Sequence, residues 1–569
     1  MLPGGMILSN EDWAEIMFYH QLKEMNVEGD AGQNGPRPWH PSVAALQGIL
    51  THCLAGLCQV VTTGLESGLE NEVETGRTGI FTAKALAAIH GEAAADPHRL
   101  IELIQQAVVL RDQIKERIRA QDPKALFPPG PADFEPATSL EGLLSQAGKT
   151  RPDDIPAGNQ DILTLKQILM SGLCGVASYA AHAHLLGGQD ARVSACIFDN
   201  LAAIYSSRLD AEALTDRIRA CGDVAYIAMG LLDRARARAY GEPLPAAVSL
   251  GCRKGRAILV SGQDFQDLEA LLRQTENSGI RVYTHGEMLD AHQYPQLKQF
   301  AQFSGHYEGK GQHEDGILRF PGPVVLTAGS SVPFRIDRGQ NLFTSGPMNH
   351  PGIPHITRRD FKPVIDQALA MEGFIREESR GSSLVGNRQE EITAATDRIS
   401  RWIKQGKTSG IFFAADCHGP GQYGREPTVT RSPADRATIF LTCNAGATAP
   451  HTQTEKAGPL CLGHCHDPQV IIRIVEAFSA SLETRVDALP LSLDLSWYGQ
   501  KSVGVVLALI SLGLKDIRLG PILPAGITPV QAGVLESRFG IRSQGFPGLG
   551  DFRPWSGAAS CRPSGERDG

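Results

Sequence analysis

Four side chains able to bind a metal stand next to short apolar runs. Glu287 follows Ile280–Tyr283, Cys417 follows Gly410–Ala414, and Cys443 follows Thr438–Leu441. Cys465 sits in Leu462-Gly463-His464-Cys465-His466-Asp467, just before a helical stretch. Thiolates are the usual ligands of iron–sulfur clusters, and a helix N-terminus favours the thiolate form. A carboxylate would add a hard oxygen donor. No CxxC pair is present, so spacing alone leaves two readings open: metal ligands, or buried structural cysteines. Cys461, His464 and His466 stand beside Cys465 as possible substitute ligands or plain loop residues. Gly419-Pro420-Gly421 lacks the Lys-Ser/Thr of a phosphate-binding loop and the third glycine of a dinucleotide fingerprint, which argues against nucleotide binding.

These residues need strand ends to hold them. Residues 256–289 read as strand, helix, strand: Arg256–Val260, then a helix with Phe265, Leu268, Leu271 and Leu272 on one face, then Ile280–Tyr283. Such a βαβ unit binds ligands in the crevice at the carboxyl ends of its strands. Gln263 and Glu287 occupy two such ends and should face one crevice. Further strands are expected at Pro323–Leu326, Gly410–Ala414, Thr438–Leu441 and Ile517–Leu519. Helices are expected at Phe361–Met371, Glu390–Lys404, Pro468–Thr484 and Lys501–Leu512. Alternation of this kind implies mostly parallel sheets covered on both faces.

Before Pro243 the periodicity is helical. Leu100, Ile101, Leu103, Ile104, Val108, Leu110 and Ile114 recur at helix-face spacing, and Asp161–Leu186 and Ala211–Arg238 read as further helices. The loop Phe127–Pro156 separates two groups, so two small bundles are expected. The fold class is therefore multidomain α and α/β: an N-terminal helical bundle domain followed by two Rossmann-like α/β domains with mostly parallel sheets. Expected boundaries are a 1–40 extension, a 41–245 helical domain, α/β domains at 246–378 and 379–550, and a disordered 551–569 tail. Glu378–Gln389 reads as the linker between the α/β domains.

With 54 Lys and Arg against 62 Asp and Glu, the formal charge is −8, which argues against nucleic acid or a membrane surface as the main partner. The first residues lack a basic segment followed by a long apolar one. The apolar stretch Val503–Leu514 is too short to span a bilayer. A cytoplasmic location is expected, where eleven cysteines are not a disulfide framework. Cys53, Cys58, Cys174, Cys196 and Cys221 read as core. His285 reads as a hydrogen-bonded structural residue. His182 and His184, two apart on a helix, point to different faces and cannot share one metal.

The stretch ENSGIRVYTHGEMLDAHQYPQLKQF, 276–300, resembles the hybrid cluster proteins, also called prismane proteins or hydroxylamine reductases. Further matches keep their order: Val43-Ala44-Ala45-Leu46-Gln47-Gly48, His182-Ala183-His184-Leu185-Leu186-Gly187, Arg319-Phe320-Pro321-Gly322-Pro323, Gly463-His464-Cys465-His466-Asp467, Leu489-Pro490-Leu491-Ser492 and Ser496-Trp497-Tyr498-Gly499-Gln500-Lys501. The resemblance covers roughly 40–550. It implies an iron–sulfur(–oxygen) cluster between the domains, a small N–O substrate (hydroxylamine or nitric oxide) and a redox protein as electron donor. It implies Glu287, Cys417, Cys443 and Cys465 as cluster ligands, Cys417 as the persulfide-bearing cysteine, and Lys501 beside the cluster. Three family ligands are substituted: histidine by Gln263, cysteine by Ser330 and glutamate by Gly499. The family's N-terminal cysteine group has no counterpart before Cys53. Gln, Ser and Gly are poor or absent iron ligands. Two functions therefore stand: a hydroxylamine reductase-type oxidoreductase with a reduced ligand set, or a non-catalytic paralogue that keeps the fold as a scaffold with an altered or absent cluster.

Overall fold

A computed structural model describes residues 41–69, 74–90, 97–147, 160–205, 209–307, 317–330, 341–350, 352–386, 389–416, 437–442, 460–461, 468–496, 501–519, 527 and 529–543. The expected extension at 1–40 and tail at 551–569 lie outside them.

The first half is helical. Its helices are α1 (Pro41–Glu66), α2 (Thr75–His90), α3 (Pro97–Gln121), α4 (Leu140–Gln146), α5 (Gln160–Leu185), α6 (Ala191–Ile204) and α7 (Ala211–Tyr240). Side-chain caps start three of them: Ser139 accepts from Gly142 N–H, Asp190 from Arg192 N–H and Asp210 from Ala213 N–H. Within 42–66 and 160–185, α1 and α5 are long and apolar enough to cross a membrane, but the most apolar 18-residue stretch of each is 89% and 83% buried inside the protein. They are core helices, apolar all round because neighbours surround them. The two expected bundles are one. The loop thought to separate them holds α4, and the helices share one continuous core.

Two six-stranded sheets follow, all parallel within each. After β1 (Ala246–Ser249), the first sheet comprises β2 (Ala257–Ser261), β3 (Arg281–His285), β4 (Phe303–His306), β5 (Val324–Leu326), β6 (Leu342–Ser345) and β7 (His355–Ile356). Helices α8 (Phe265–Gln274) and α9 (Lys362–Ala370) cover it. After β8 (Ser382–Val385) and α10 (Gln389–Lys404), the second comprises β9 (Thr408–Asp416), β10 (Ala437–Thr442), β11 (Leu460–Cys461), β12 (Leu491–Ser496), β13 (Ile517–Leu519) and β14 (Arg542–Ser543). Its helices are α11 (Pro468–Leu482), α12 (Lys501–Ser511) and α13 (Pro529–Phe539).

The spatial orders are β4-β3-β2-β5-β6-β7 and β11-β10-β9-β12-β13-β14. Each is the same doubly wound order, third-second-first-fourth-fifth-sixth, whose direction of winding reverses between the first and fourth strands. The switch points are β2/β5 and β9/β12. The expected linker is not plain: β8 lies in it and pairs antiparallel with β1, Ala246 opposite Val385.

The second sheet's core is continuous with that of the helical half. Helix α12 makes the join. Its residues 502–510 are all buried, against α5 and α7. A Cβ on Gly222 would stand 2.1 Å from the Leu507 carbonyl oxygen, so glycine is needed there for this approach, whereas one on Gly172 would meet Leu507 Cδ1 at 2.3 Å, a side-chain end that can shift.

Candidate functional site

The carboxyl end of β2 turns sharply at Gly262, where φ is +114°. A Cβ there would lie 2.3 Å from Thr327 Oγ1 and 2.8 Å from Ser330 Oγ, across the switch point. The turn delivers Gln263, whose backbone N–H donates to Ala328 O at 2.7 Å. Asp264 then caps α8, accepting from the N–H groups of Gln266 and Asp267 at 2.9 and 3.2 Å. Burial, reinforced by the Asp267 charge, raises the Asp264 carboxyl to about 6. The end of β3 leads through His285 into the 3₁₀ segment Gly286–Gln293, which carries Glu287 and Asp290. His285 Nδ1 is hydrogen-bonded to Ser261 Oγ at 3.0 Å, a structural role.

Lys501 opens α12 and reaches the first sheet's crevice: its ammonium donates to Gln263 Oε1 and lies 5.3 Å from the centre of the Tyr179 ring. Burial pulls Lys501 down to about 7, against the opposing attraction of Glu287. Arg236, on α7, stands over the Phe265 ring at 4.4 Å. Burial works against its charge, but Tyr294, Asp290, Asp233 and Glu287 outweigh that and raise its pKa. Burial, then Lys501 and Arg236, hold His182 well below the usual histidine range, so it is a neutral imidazole. A small pocket opens here between α5, α7 and α8, lined by His182, Leu232, Arg236, Gln263 and Phe265 among others. Its volume of about 10 Å³ is room for roughly one water-sized molecule.

The described residues thus gather Gln263, Glu287 and Lys501, with Ser330 on the wall behind Gly262. Cys417, Cys443, Cys465 and Gly499 lie outside the described residues, as do His464 and His466. Strands β9 and β10 end one residue before Cys417 and Cys443. Cys461 closes the short strand β11. Two substituted positions are engaged by the protein itself: Gln263 Oε1 by Lys501, and Ser330 Oγ by the Thr327 N–H at 3.1 Å. Among the described residues no three His, Cys, Asp or Glu side chains are grouped to hold a metal ion.

Sequence reasoning does not find Arg236, Asp233 or Asp290. Arg236 sits in Arg234-Ala235-Arg236-Ala237-Arg238, a run that reads as solvated charges. Arg234 and Arg238 are indeed exposed, but Arg236 turns inward. Asp290 is three residues past Glu287, a helical spacing that could have signalled it.

This arrangement has known relatives. A hydroxylamine reductase of Solidesulfovibrio magneticus is 36% identical over 538 residues, covering 93% of this chain and 98% of its own. One from Methanocella arvoryzae is 37% identical over 533 residues, covering 92% and 97%. Among solved structures, carbon monoxide dehydrogenase IV from Carboxydothermus hydrogenoformans aligns over 93% of this chain and 90% of its own, at 14% identity and a TM-score of 0.44. The family model for the Prismane/CO dehydrogenase family matches residues 39–547. With that match spanning the helical half and both sheets, the chain belongs to the Prismane/CO dehydrogenase family.

Proposed function

We propose that the protein is an iron–sulfur oxidoreductase that reduces small N–O compounds, hydroxylamine or nitric oxide, with electrons from a redox partner protein. The observation that carries this reading is Lys501 bonded to Gln263 at the β2 strand end, under the attraction of the Glu287 carboxylate, in a chain whose relatives bear the name hydroxylamine reductase. The donor set fits a cluster in part. Glu287 is a suitable oxygen donor at the crevice, whereas Gln263 and Ser330 are held in protein hydrogen bonds and do not replace imidazole or thiolate. Glu287, Cys417, Cys443 and Cys465 would hold the group. When bound, it would supply electrons and an iron site for the substrate.

The chain's own residues handle protons. Reduction of hydroxylamine to ammonia and water consumes two electrons and two protons. Lys501, at about 7, is close to half-protonated at neutral pH, the condition in which a group can both give and regain a proton. Gln263 holds its Nζ at the crevice. Leu185, Leu186, Leu232 and Phe265 form the apolar part of the lining of the small pocket beside Gln263. We also assign the protein to the cytoplasm, with neither membrane nor nucleic acid as partner; cell fractionation that finds it in the membrane pellet would refute this.

A second reading, a non-catalytic scaffold, is favoured by the engagement of Gln263 and Ser330. Iron and acid-labile sulfide in anaerobically purified protein separate the two. The enzyme reading expects both, a loss of both in Cys443→Ala but not in Cys53→Ala, and hydroxylamine turnover with an artificial electron donor that falls at least tenfold in Lys501→Met. Combining Gln263→His, Ser330→Cys and Gly499→Glu should then raise iron content. A folded, metal-free protein that gains nothing from the triple change supports the scaffold.

A further inference from the structure

The start of α8 grips the helical half at two points. One is the bond from Lys501, on α12, to Gln263 Oε1. The other lies three residues on: Gln266 Nε2 donates to Leu185 O at 2.7 Å. Leu185 is the last residue of α5, and the last carbonyls of a helix have no partner within it. Helix α5 also carries Tyr179, whose ring lies beneath the Lys501 ammonium. The Gln266 bond therefore ties the first sheet to the same helix that seats Lys501. Gln266 is held from its other side as well. Arg359, in the turn between β7 and α9, donates Nη2 to Gln266 Oε1 at 2.9 Å and Nε to Asp267 Oδ1 at 2.7 Å. A carboxamide keeps its shape when O and N are exchanged, but a guanidinium can only donate and a carbonyl can only accept. Arg359 at one end and Leu185 O at the other thus leave the Gln266 amide one orientation. Arg359 is anchored in turn: Ser345 Oγ donates to Asp267 Oδ2 at 2.6 Å, and Gln274 Nε2 donates to Arg359 O at 2.8 Å. Arg358 and Arg359 both have a φ of +55°, a left-handed conformation that costs such residues energy. Strain of this kind persists where the surrounding bonds impose it.

We propose that Gln266 and Arg359 are positioning residues that keep Lys501 at Gln263 by fixing the start of α8 to the end of α5. Arg359 orients the Gln266 amide, the amide holds Leu185 O, and the gap between α8 and the helices stays narrow enough for Lys501 to span. The catalytic consequence of this rests on the function proposed above; the positioning itself does not. Two variants separate the links. Glutamate in Gln266→Glu keeps the shape and still accepts from Arg359, but it cannot donate to Leu185 O. Lysine in Arg359→Lys keeps a cation for the buried Asp267 but lacks the fork that also reaches Gln266.

The test gives the full-length protein a brief acetic anhydride pulse at about pH 10, near the ordinary lysine value of about 10.4, so that labelling reads access to an amine. Mass spectrometry follows Lys501, with exposed Lys254 as the reference and buried Lys115, on α3, as the control for general loosening. Gln263→Leu, which removes the partner of Lys501 directly, should raise Lys501 labelling at least fivefold. Gln266→Glu and Arg359→Lys should raise it at least threefold and leave Lys115 within twofold of wild type. The proposal is overturned if Lys501 stays within twofold of wild type in both of these variants, if Lys115 rises as much as Lys501, or if Gln263→Leu itself changes nothing. Where the wild type reduces hydroxylamine, Gln266→Glu should lower kcat at least fivefold with KM within twofold, because it displaces a proton-carrying group. A wild type without turnover would sink the enzyme reading and leave the labelling to decide the positioning.

Discussion

At the scale of single residues, the first sheet's carboxyl edge carries a set of hydrogen-bonded histidines. Thr284 Oγ1 lies 2.9 Å from His292 Nε2 and 3.0 Å from His306 Nδ1. A hydroxyl has one proton to give. His292 also bonds the Gly305 backbone carbonyl, which only its N–H can do. Thr284 Oγ1 also lies 3.4 Å from Gly305 O, so its one proton can go to a ring nitrogen or to that carbonyl. Burial, helped by His306, lowers His292 to about 3, and its ring is stacked 3.9 Å from that of Phe303. The unfolded value is about 6.5. Between those values the unfolded chain binds the proton and the folded one does not, so stability falls as pH drops from about 6.5 towards 3. From pH 7 to 5 the loss from this residue is about 2 kcal/mol. His292→Leu should be less stable at pH 7 by about 1–3 kcal/mol, since Thr284 and Gly305 lose a partner. Its midpoint in urea should nonetheless change less between pH 7 and 5 than that of the wild type; an equal change would mean that His292 is already charged in the fold.

At the scale of elements, the site depends on how closely α12 lies on α5 and α7, because Lys501 is its first residue. Gly222→Ala tests this. In an exposed helix the change stabilises by about 1 kcal/mol. Here the new Cβ meets the Leu507 carbonyl oxygen and carbon at 2.1 and 2.6 Å, backbone that cannot rotate away. Overpacking of this kind costs about 1–3 kcal/mol, so the net effect should be a lower unfolding midpoint, together with weaker turnover as Lys501 leaves Gln263. A higher midpoint would show that the helices do not touch there. Much of this level is legible in the sequence. The change from helical to βαβ periodicity near Pro243, the strand ends carrying Gln263 and Glu287, and the start of α12 at Lys501 can all be read from it. Strand β12 cannot be read so easily. Leu491-Ser492-Leu493-Asp494-Leu495-Ser496 alternates like a half-exposed strand, yet it is central, paired to both β9 and β13. Strand β4 hides for another reason: its Gly305 is there because Ser249 O would stand 2.5 Å from a Cβ, a contact remote in sequence. The inward turn of Arg236 likewise depends on Glu287, Asp290 and Phe265, which lie beyond it on other elements.

At the scale of the whole molecule, the two sheets repeat one winding order but differ in what supports them. The first has its own core clusters, built among the described residues almost wholly from 258–368 and 252–353, with Tyr240 as a contribution from α7. Among the described residues the second has no separate one: Ile411, Leu493, Leu495, Ile517 and Leu519 belong to the same cluster as Leu46, Leu169 and Ile218 of the helices. Sequence periodicity reads both as equal α/β domains, because it registers which faces are apolar and not what covers them. We therefore expect units 246–378 and 379–550 to behave differently when expressed alone. Cut from the helical half, 379–550 exposes the face of α12 that carries Leu507. Each large aliphatic side chain returned to water costs about 1.5–3 kcal/mol, and three or four of them consume a net stability of about 5–15 kcal/mol. The fragment should be insoluble, or should bind a hydrophobic dye without a cooperative melting transition, and co-expression with 1–378 should rescue it. Fragment 246–378 should remain soluble and melt cooperatively. A 379–550 fragment that is monomeric and melts sharply would show that the shared core is a contact between finished domains and not the framework on which the second sheet is built.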